Sequence, residues 1–199
     1  MGAKHCKKFE HVRDCPPNFY DLKAIDIDGK TFKFEELQSE NKNDTHAYLI
    51  VNVASSCLLS ERNYAGLMEL MMQYEEQGLI VMLFPVNTLN YQERKCNQKV
   101  KAYINKKYNA NFKIFAKSEI NGKNANEVYR WLRLNSELAG GPNKAKRLSF
   151  PWNYGKFLIN NKGTVEKFAD GFKSPLVLED DIHQALHGEK NPNLVPAIQ

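Results

Sequence analysis

Two apolar segments separated by an amphipathic one constrain the fold of this chain more than any other feature. Residues 48–54 (YLIVNVA) and 79–86 (LIVMLFPV) are nearly continuous apolar runs of strand length, as expected for strands buried on both faces. Between them, apolar residues recur at the three- and four-residue spacing of a helix. These residues are Tyr64, Leu67, Met68, Met71 and Met72. A strand, a helix and a second strand in this order predict a parallel crossover unit.

Hairpin patterns flank this unit on both sides. Residues 19–37 alternate apolar and polar side chains around an Asp-Gly turn, which predicts an N-terminal β-hairpin. Residues 152–159 and 164–168 predict a second hairpin, and Pro175 begins a last helix. Together these patterns predict an α/β fold, a thioredoxin-like three-layer sandwich with a central mixed sheet flanked by helices.

The composition is that of one globular domain with short tails. Of the 199 residues, 42% are hydrophobic and 26% are charged, which supports a core of ordinary size. We expect residues 1–18 to be a basic N-terminal tail, residues 19–187 to be the folded domain and residues 188–199 to be a C-terminal tail. The net charge of +5 is scattered along the chain, so nucleic acid is not an expected partner.

The length of the apolar runs bears on the location of the protein in the cell, and the spacing of the cysteines bears on its chemistry. The longest apolar run, residues 79–84, is too short to cross a bilayer, and no secretory signal peptide is recognisable. We therefore expect a reducing, cytoplasmic location, with mitochondrial and membrane-associated locations left open. The cysteines Cys6, Cys15, Cys57 and Cys96 form no CxxC pair, which argues against a disulfide framework, a zinc site or a thioredoxin-type dithiol.

Cys57 occupies a position that favours chemistry. It follows the strand of residues 48–54 and precedes the predicted helix, and ligands of open α/β sheets bind at the carboxyl ends of strands. The unpaired N–H groups at the start of a helix favour an anion such as a thiolate, the form of cysteine that attacks a peroxide oxygen. The alternative is a buried cysteine that only fills space in the core.

Three separated motifs carry the strongest functional signal. They are VNVASSC at 51–57, FPVN at 84–87 with QE at 92–93, and WNYGKFL at 152–158. In this order they resemble the signatures of the glutathione peroxidase family, whose first signature contains the reactive cysteine or selenocysteine. The resemblance covers roughly residues 19–186, and residues 173–179 are most similar to the monomeric phospholipid hydroperoxide branch.

The resemblance implies a function for Cys57 and its neighbours. It implies a thiol-dependent peroxidase that reduces hydrogen peroxide and organic or lipid hydroperoxides through a sulfenic acid at Cys57. Trp152 and Asn153 would place indole and amide N–H donors beside the sulfur, where they stabilise the thiolate and help to deliver a proton to the leaving oxygen. No metal and no bound cofactor are implied, since glutathione or another small thiol is the reducing co-substrate.

Two departures from the family pattern weaken the predicted catalytic site. Thr88 stands where the family has a catalytic glutamine, and its hydroxyl is a shorter and weaker donor than an amide. Leu58 stands where the family has glycine after the reactive residue. Because the loss of one positioned donor can cost on the order of 10²-fold in rate, a low activity is consistent with this site. The alternative function is a catalytically weakened peroxidase fold that serves as a redox sensor or a structural subunit.

The resemblance also bears on the reductant and the oligomeric state. Thioredoxin-using members carry a resolving cysteine where this chain has Asn105, so glutathione or another small thiol is expected in preference to thioredoxin. Cys96 lies more than two helical turns from that position and is the alternative resolver. Residues 138–149 are short where other members have a tetramer-forming loop, so a monomer is expected. Lys95 and Lys156 are candidate contacts to the carboxylates of glutathione.

The N-terminal sequence MGAKHCKK suggests a membrane-related hypothesis. Gly2 is a candidate for myristoylation and Cys6 for palmitoylation, and the neighbouring lysines would add attraction to anionic lipid. A disordered basic tail is the alternative. Peripheral membrane contact is therefore an open expectation.

Overall fold

The computed structural model describes three ranges of the chain, 15–39, 46–139 and 149–192. The lipidation hypothesis for Gly2 and Cys6 and most of the segment 138–149, on which the monomer prediction rests, lie outside these ranges. Within them, no helix combines the length and the apolar character that crossing a membrane requires.

The described ranges contain seven strands and five helices. The strands are β1 (Lys23–Ile25), β2 (Thr31–Lys33), β3 (Ala47–Val53), β4 (Leu79–Pro85), β5 (Lys113–Ile114), β6 (Lys156–Ile159) and β7 (Val165–Ala169). The helices are α1 (Glu36–Ser39), α2 (Ser60–Tyr74), α3 (Asn97–Tyr108), α4 (Glu127–Asn135) and α5 (Glu179–His187). Short 3₁₀ turns cover Phe19–Asp21, Glu137–Ala139 and Pro175–Leu178.

A mixed sheet of five strands forms the centre, in the order β5-β4-β3-β6-β7. The three strands β3, β4 and β5 are parallel, whereas β6 is antiparallel to both β3 and β7. Every residue of β3 is buried, because this strand lies in the middle of the sheet and is covered on both faces. Strands β1 and β2 form a separate antiparallel hairpin, which confirms the predicted N-terminal hairpin.

Buried side chains form one cluster on each face of the central sheet. On one face, Leu49 of β3 shares a cluster with Leu67 of α2 and Ile182 of α5. On the other face, Ile50 of β3 shares a cluster with Leu132 of α4 and with the segment before β1. Neighbouring residues of β3 point to opposite faces, so one strand supports both layers. This arrangement confirms the three-layer α/β sandwich.

One edge of the sheet brings the three motifs together. Strands β3 and β4 end there, at Val53 and Pro85, and β6 begins there because it runs antiparallel to β3, with Val51 opposite Lys156. The sequence predicts that residues 152–155 belong to the same strand as β6. They form a turn instead, and Tyr154 in this turn has a φ of 65°. The turn places the third motif beside the loops that follow β3 and β4.

Candidate active site

Cys57 lies in the turn that joins β3 to α2. Its N–H donates to the Ala54 carbonyl at 3.2 Å, and its own carbonyl accepts from the Ser60 N–H at 3.0 Å. The residue is buried, with 6% of its surface exposed, and its thiol is free. The sulfur thus lies at the carboxyl end of the central strand and just before the first turn of a helix, as the sequence predicts.

Buried hydroxyls fix the backbone on the amino side of Cys57. The Ala54 carbonyl lies 2.9 Å from the Ser60 hydroxyl and 2.8 Å from the Tyr154 hydroxyl, and the two hydroxyls are 2.7 Å apart. Burial raises the pKa of Tyr154 above its ordinary value, and negative charge on Cys57 acts in the same direction. Tyr154 therefore stays a neutral hydroxyl that shares its proton with this cluster.

The turn of residues 152–155 is held by Asn52, which belongs to β3. The Asn52 side-chain amide donates to the Trp152 carbonyl at 3.1 Å, and the Asn52 carbonyl accepts from the Tyr154 N–H at 2.7 Å. The Asn52 N–H donates to the Gly155 carbonyl at 3.3 Å. One asparagine on the central strand thereby sets the conformation of the segment that carries Trp152 and Asn153.

Asn153 and the Cys57 turn are connected through Gln92. The fully buried Asn153 side chain donates from Nδ2 to Oε1 of Gln92 at 2.8 Å. The Gln92 backbone carbonyl accepts from the N–H of Ser56, the residue before Cys57, at 3.0 Å. Gln92 of the second motif therefore contacts both Ser56 of the first motif and Asn153 of the third. The sequence matched Gln92 to the family pattern but did not assign it to the site.

Glu93 is a buried carboxylate that holds the loop after β4 against the loop after β3. Its two oxygens accept from the Ser55 N–H at 2.7 Å and from the Ser55 hydroxyl at 2.9 Å. Its own N–H donates to Oδ1 of Asn87 at 3.0 Å. Lys95 donates from Nζ to the Ser55 hydroxyl at 2.6 Å. These bonds satisfy a charge that would be costly to bury alone and keep the neighbouring Gln92 in place.

The structure groups some of the predicted site residues and leaves Thr88 apart. Cys57 and Asn153 share the hydrogen-bonded frame through Gln92, and Trp152 is half-buried in the same turn as Asn153. The Thr88 side chain is exposed in the loop after β4, and no hydrogen bond to it is found within the described ranges. Leu58 is 97% exposed, so it extends into solvent and does not cover the sulfur.

Lys156 is not a contact for glutathione, contrary to the prediction from the sequence. It is fully buried in β6, and its Nζ donates to Oδ1 of Asn63 at 2.8 Å and to the carbonyls of Tyr154 at 2.7 Å and Asp170 at 3.0 Å. Burial lowers the pKa of Lys156 to about 7, the Asp170 carboxylate opposes this shift, and Arg62 adds to it. A buried amine with three internal acceptors stabilises the fold around the site.

Two cysteines besides Cys57 lie in the described ranges. Cys15 is half-buried and Cys96 is exposed, and both carry free thiols. In the part of the chain that the structure describes, no three His, Cys, Asp or Glu side chains are grouped so that they could hold a metal ion.

A free thiol at the carboxyl end of the central strand of a three-layer α/β sandwich is compatible with the class of thiol oxidoreductases. The fold is shared by a thiol:disulfide interchange protein of the thioredoxin family from Chlorobium tepidum, with a TM-score of 0.55 and 15% identity. The superposition covers 86% of this chain and 97% of that one. At this level of identity the likeness shows the fold alone, and it confirms the predicted thioredoxin-like architecture.

Sequence comparisons place the chain within this class. The glutathione peroxidase family model matches residues 19–133. The glutathione peroxidase-like peroxiredoxin gpx1 of Schizosaccharomyces pombe is 32% identical over 169 residues, which cover 85% of this chain and 99% of that protein. The phospholipid hydroperoxide glutathione peroxidase of Bos taurus is 30% identical over 168 residues, which cover 84% of this chain and 80% of the bovine protein. The chain belongs to the glutathione peroxidase family, and the predicted enzyme class, a thiol-dependent peroxidase, is confirmed.

Proposed function

We propose that the protein reduces hydroperoxides with thiols and that the sulfur of Cys57 attacks the peroxide. The observation that carries this proposal is a free, buried thiol at the end of β3 that shares a hydrogen-bonded frame with Asn153. The S. pombe and bovine relatives, named as a peroxiredoxin and a hydroperoxide peroxidase, support the same reaction.

The proposed reaction uses Cys57, one hydroperoxide and two external thiols. The Cys57 thiolate attacks one peroxide oxygen, the O–O bond breaks, and the other oxygen gains a proton and leaves as an alcohol, or as water when the substrate is hydrogen peroxide. The cysteine is oxidised to a sulfenic acid while the hydroperoxide is reduced. One thiol then forms a mixed disulfide with release of water, and a second thiol frees Cys57 as the two thiols become a disulfide.

Asn153 and Trp152 are the proposed donors to the sulfur and to the leaving oxygen. Asn153 is fully buried, so a hydrogen bond from its amide acts in a medium of low dielectric constant. Trp152 lies in the same turn and carries an indole N–H. Thr88 remains a predicted third contributor, and its exposed position supports the expectation of a reduced rate.

Bulky organic and lipid hydroperoxides are the proposed substrates besides hydrogen peroxide. Three exposed apolar side chains, here named the apolar rim (Leu58, Tyr91 and Phe172), adjoin two residues of the site and one glycine of the loop after β7, whose carbonyl accepts from Asn63 of α2. Their neighbours are Cys57, Gln92 and Gly171. An acyl chain that contacts these side chains would gain stabilisation from the loss of apolar surface to water. Peripheral membrane contact of the monomer would use the same face.

Glutathione or another small thiol is the proposed reductant, in a reducing compartment such as the cytoplasm. Asn105, at the position of the resolving cysteine of thioredoxin-using members, is an exposed residue of α3 and supplies no thiol. Cys96 directly precedes α3 and is exposed, so it is the alternative resolver that needs a direct test.

Steady-state turnover of a lipid hydroperoxide tests the proposed function. We expect consumption of glutathione that the variant Cys57→Ser abolishes, with Cys96→Ser as the matched control of the same chemical change. If thioredoxin is the faster reductant and Cys96→Ser abolishes turnover, the assignment of a small thiol is wrong. If Cys57→Ser turns over as fast as the unmodified protein, the assignment of Cys57 is wrong.

A redox sensor is the second candidate function, and the exposed position of Thr88 favours it. A sensor needs oxidation of Cys57 but no rapid return to the thiol. The sensor is favoured over the enzyme if hydroperoxide oxidises Cys57 once and neither glutathione nor thioredoxin supports turnover.

A further inference from the structure

Gln92 links two parts of the proposed active site that are far apart in sequence. Its backbone carbonyl accepts from the Ser56 N–H, and its side-chain Oε1 accepts from Nδ2 of Asn153, a residue 61 positions further along the chain. The side-chain carboxamide of Gln92 is neither the nucleophile nor a proposed donor in the reaction. One of its two contacts is with the residue before Cys57 and the other is with a proposed donor.

Hydrogen bonds fix the backbone around Gln92, so its side chain extends from a defined position. The neighbouring Glu93 is fixed by its bonds to the Ser55 N–H, the Ser55 hydroxyl and the Asn87 side chain. The carbonyl of Gln92 is fixed by Ser56. Because these bonds involve the backbone of Gln92 or another residue, a substitution of the Gln92 side chain leaves them available.

The acceptor on Gln92 selects one orientation of the Asn153 amide. An asparagine amide can present either its nitrogen or its oxygen to a neighbour, and an acceptor selects the nitrogen. Nδ2 carries two hydrogens, so when one donates to Gln92 the other is left for a second acceptor. The Asn153 Oδ1 atom has no hydrogen-bond partner among the described residues, which leaves the contact with Gln92 to hold this orientation.

We infer that Gln92 is a positioning residue that holds the Asn153 amide with an N–H directed to the reacting sulfur. The inference rests on the proposed function of Cys57 and Asn153. It also accounts for the exposed Thr88: the carboxamide that the structure brings to Asn153 comes from position 92, four residues further along the loop. Gln92 acts through Asn153 and needs no contact with the peroxide.

The test measures the rate of Cys57 oxidation by stoichiometric hydrogen peroxide across a range of pH. Gln92→Leu keeps the approximate volume and removes the acceptor, so the rate at the high-pH plateau should fall by on the order of 10-fold. Gln92→Glu keeps an acceptor for Nδ2 and adds a negative charge near the thiolate. Its plateau should stay near that of the unmodified protein, while the midpoint of its pH profile moves to higher pH. Gln98→Leu, an exposed glutamine of α3, is the matched control.

A double variant separates positioning from a general effect on folding. In the Asn153→Leu background, Gln92→Leu should cause no further loss of rate, because the group that it positions is already absent. An unchanged plateau in Gln92→Leu, or losses that add in the double variant, would overturn the inference. If Gln92→Leu does not fold, Gln92→Glu decides: a lower plateau with an unmoved midpoint would also overturn it.

Failure of the proposed function gives a different result. If Cys57 of the unmodified protein reacts no faster than free cysteine, the peroxidase role of Cys57 is wrong and there is no catalytic amide to position. If the unmodified protein reacts fast and Gln92→Leu reacts equally fast, only the role of Gln92 is wrong.

Discussion

Lys156 shows how one buried charge supports the candidate site at a cost in stability. Its three acceptors come from α2, from the turn of residues 152–155 and from the end of β7, through Asn63, Tyr154 and Asp170. Three acceptors suit the ammonium form with its three hydrogens, yet burial lowers the pKa to about 7. The two effects oppose each other, so the amine changes its charge near neutral pH.

This shift predicts a specific dependence of stability on pH. In the unfolded chain the pKa of Lys156 returns to its ordinary value of 10.5, so between about pH 7 and 10.5 the unfolded state binds more protons than the folded state. The free energy of unfolding should therefore rise with pH above 7, by at most ~1.4 kcal/mol per pH unit from this group. Chemical denaturation between pH 6.5 and 9.5 measures this slope.

Two variants assign that slope to Lys156. Lys156→Met should be less stable than the unmodified protein because it leaves three buried oxygens without their donor, and the difference should widen as the pH rises. Lys162→Met changes an exposed lysine in the loop between β6 and β7 and should leave the slope unchanged. A Lys156→Met variant with the slope of the unmodified protein would show that this lysine does not carry it.

At the scale of residues, the sequence allowed the position of Cys57 to be predicted but not its environment. The thiol follows an apolar strand, and a strand end can be recognised locally. The contact between Gln92 and Asn153 depends on two loops that meet only after the sheet has formed. The exposure of Leu58 and Thr88 and the burial of Lys156 depend in the same way on distant segments. Motif matching identifies these residues without showing what they touch.

Among the elements, the turn before β6 is held by Asn52 and also closely approached by a glycine from the loop after β7. Gly171, in the loop after β7, approaches the turn so closely that an added Cβ would lie 1.8 Å from the Asn153 carbonyl oxygen. The Gly171 carbonyl also accepts from the side chain of Asn63 at 3.1 Å. The loop after β7 therefore contacts both the Asn153 backbone and the first turn of α2.

Gly171→Ala should disturb both the fold and the reaction. The methyl group can be accommodated only if the backbone shifts, which should cost about 1–3 kcal/mol of stability. The accompanying movement of Asn153 should lower the rate of Cys57 oxidation by on the order of 10²-fold. Gly29→Ala is the control: its φ is 87° in open space, so it should cost about 1 kcal/mol through backbone strain and leave the rate unchanged. Equal rates in both variants would contradict the role of Gly171.

The elements that the sequence predicted best are those whose pattern is local. Strands β3 and β4 and helix α2 follow from apolar periodicity, and the structure confirms them. Residues 152–155 were wrongly predicted as strand because their conformation is imposed by Asn52 and Gly171, neither of which is near in sequence. Met72 fits the apolar spacing of α2 but is exposed, since the stripe of that helix that faces the sheet is narrower than its apolar pattern.

For the whole molecule, the apolar rim (Leu58, Tyr91 and Phe172) predicts a preference for bulky hydroperoxides. Replacement of all three by serine should lower the ratio of kcat/KM for a lipid hydroperoxide to that for hydrogen peroxide by on the order of 10-fold. Hydrogen peroxide is too small to contact the rim, so its own rate should change little. Met72→Ser, an exposed apolar residue further along α2, should leave the ratio unchanged. An unchanged ratio in the triple variant would show that the rim does not select the substrate.

At the scale of the whole molecule, the topology of the central sheet brings the parts of the proposed site together. The parallel pair β3 and β4 and the antiparallel strand β6 bring three motifs from distant parts of the chain to one edge of the sheet. Cys57 enters this edge from the first motif, Gln92 from the second and Asn153 from the third. The topology of the sheet, and not any single residue, creates the surroundings of Cys57.

Oxidation of Cys57 in a single turnover tests this account most directly. Reduced protein is mixed with one equivalent of lipid hydroperoxide, the rate is followed by stopped-flow fluorescence, and the oxidised residue is identified by mass spectrometry. We predict a sulfenic acid or its thiol adduct on Cys57, formed at least about 10²-fold faster than on free cysteine. Oxidation at the rate of free cysteine, or oxidation of Cys96 or Cys15 in its place, would contradict the account.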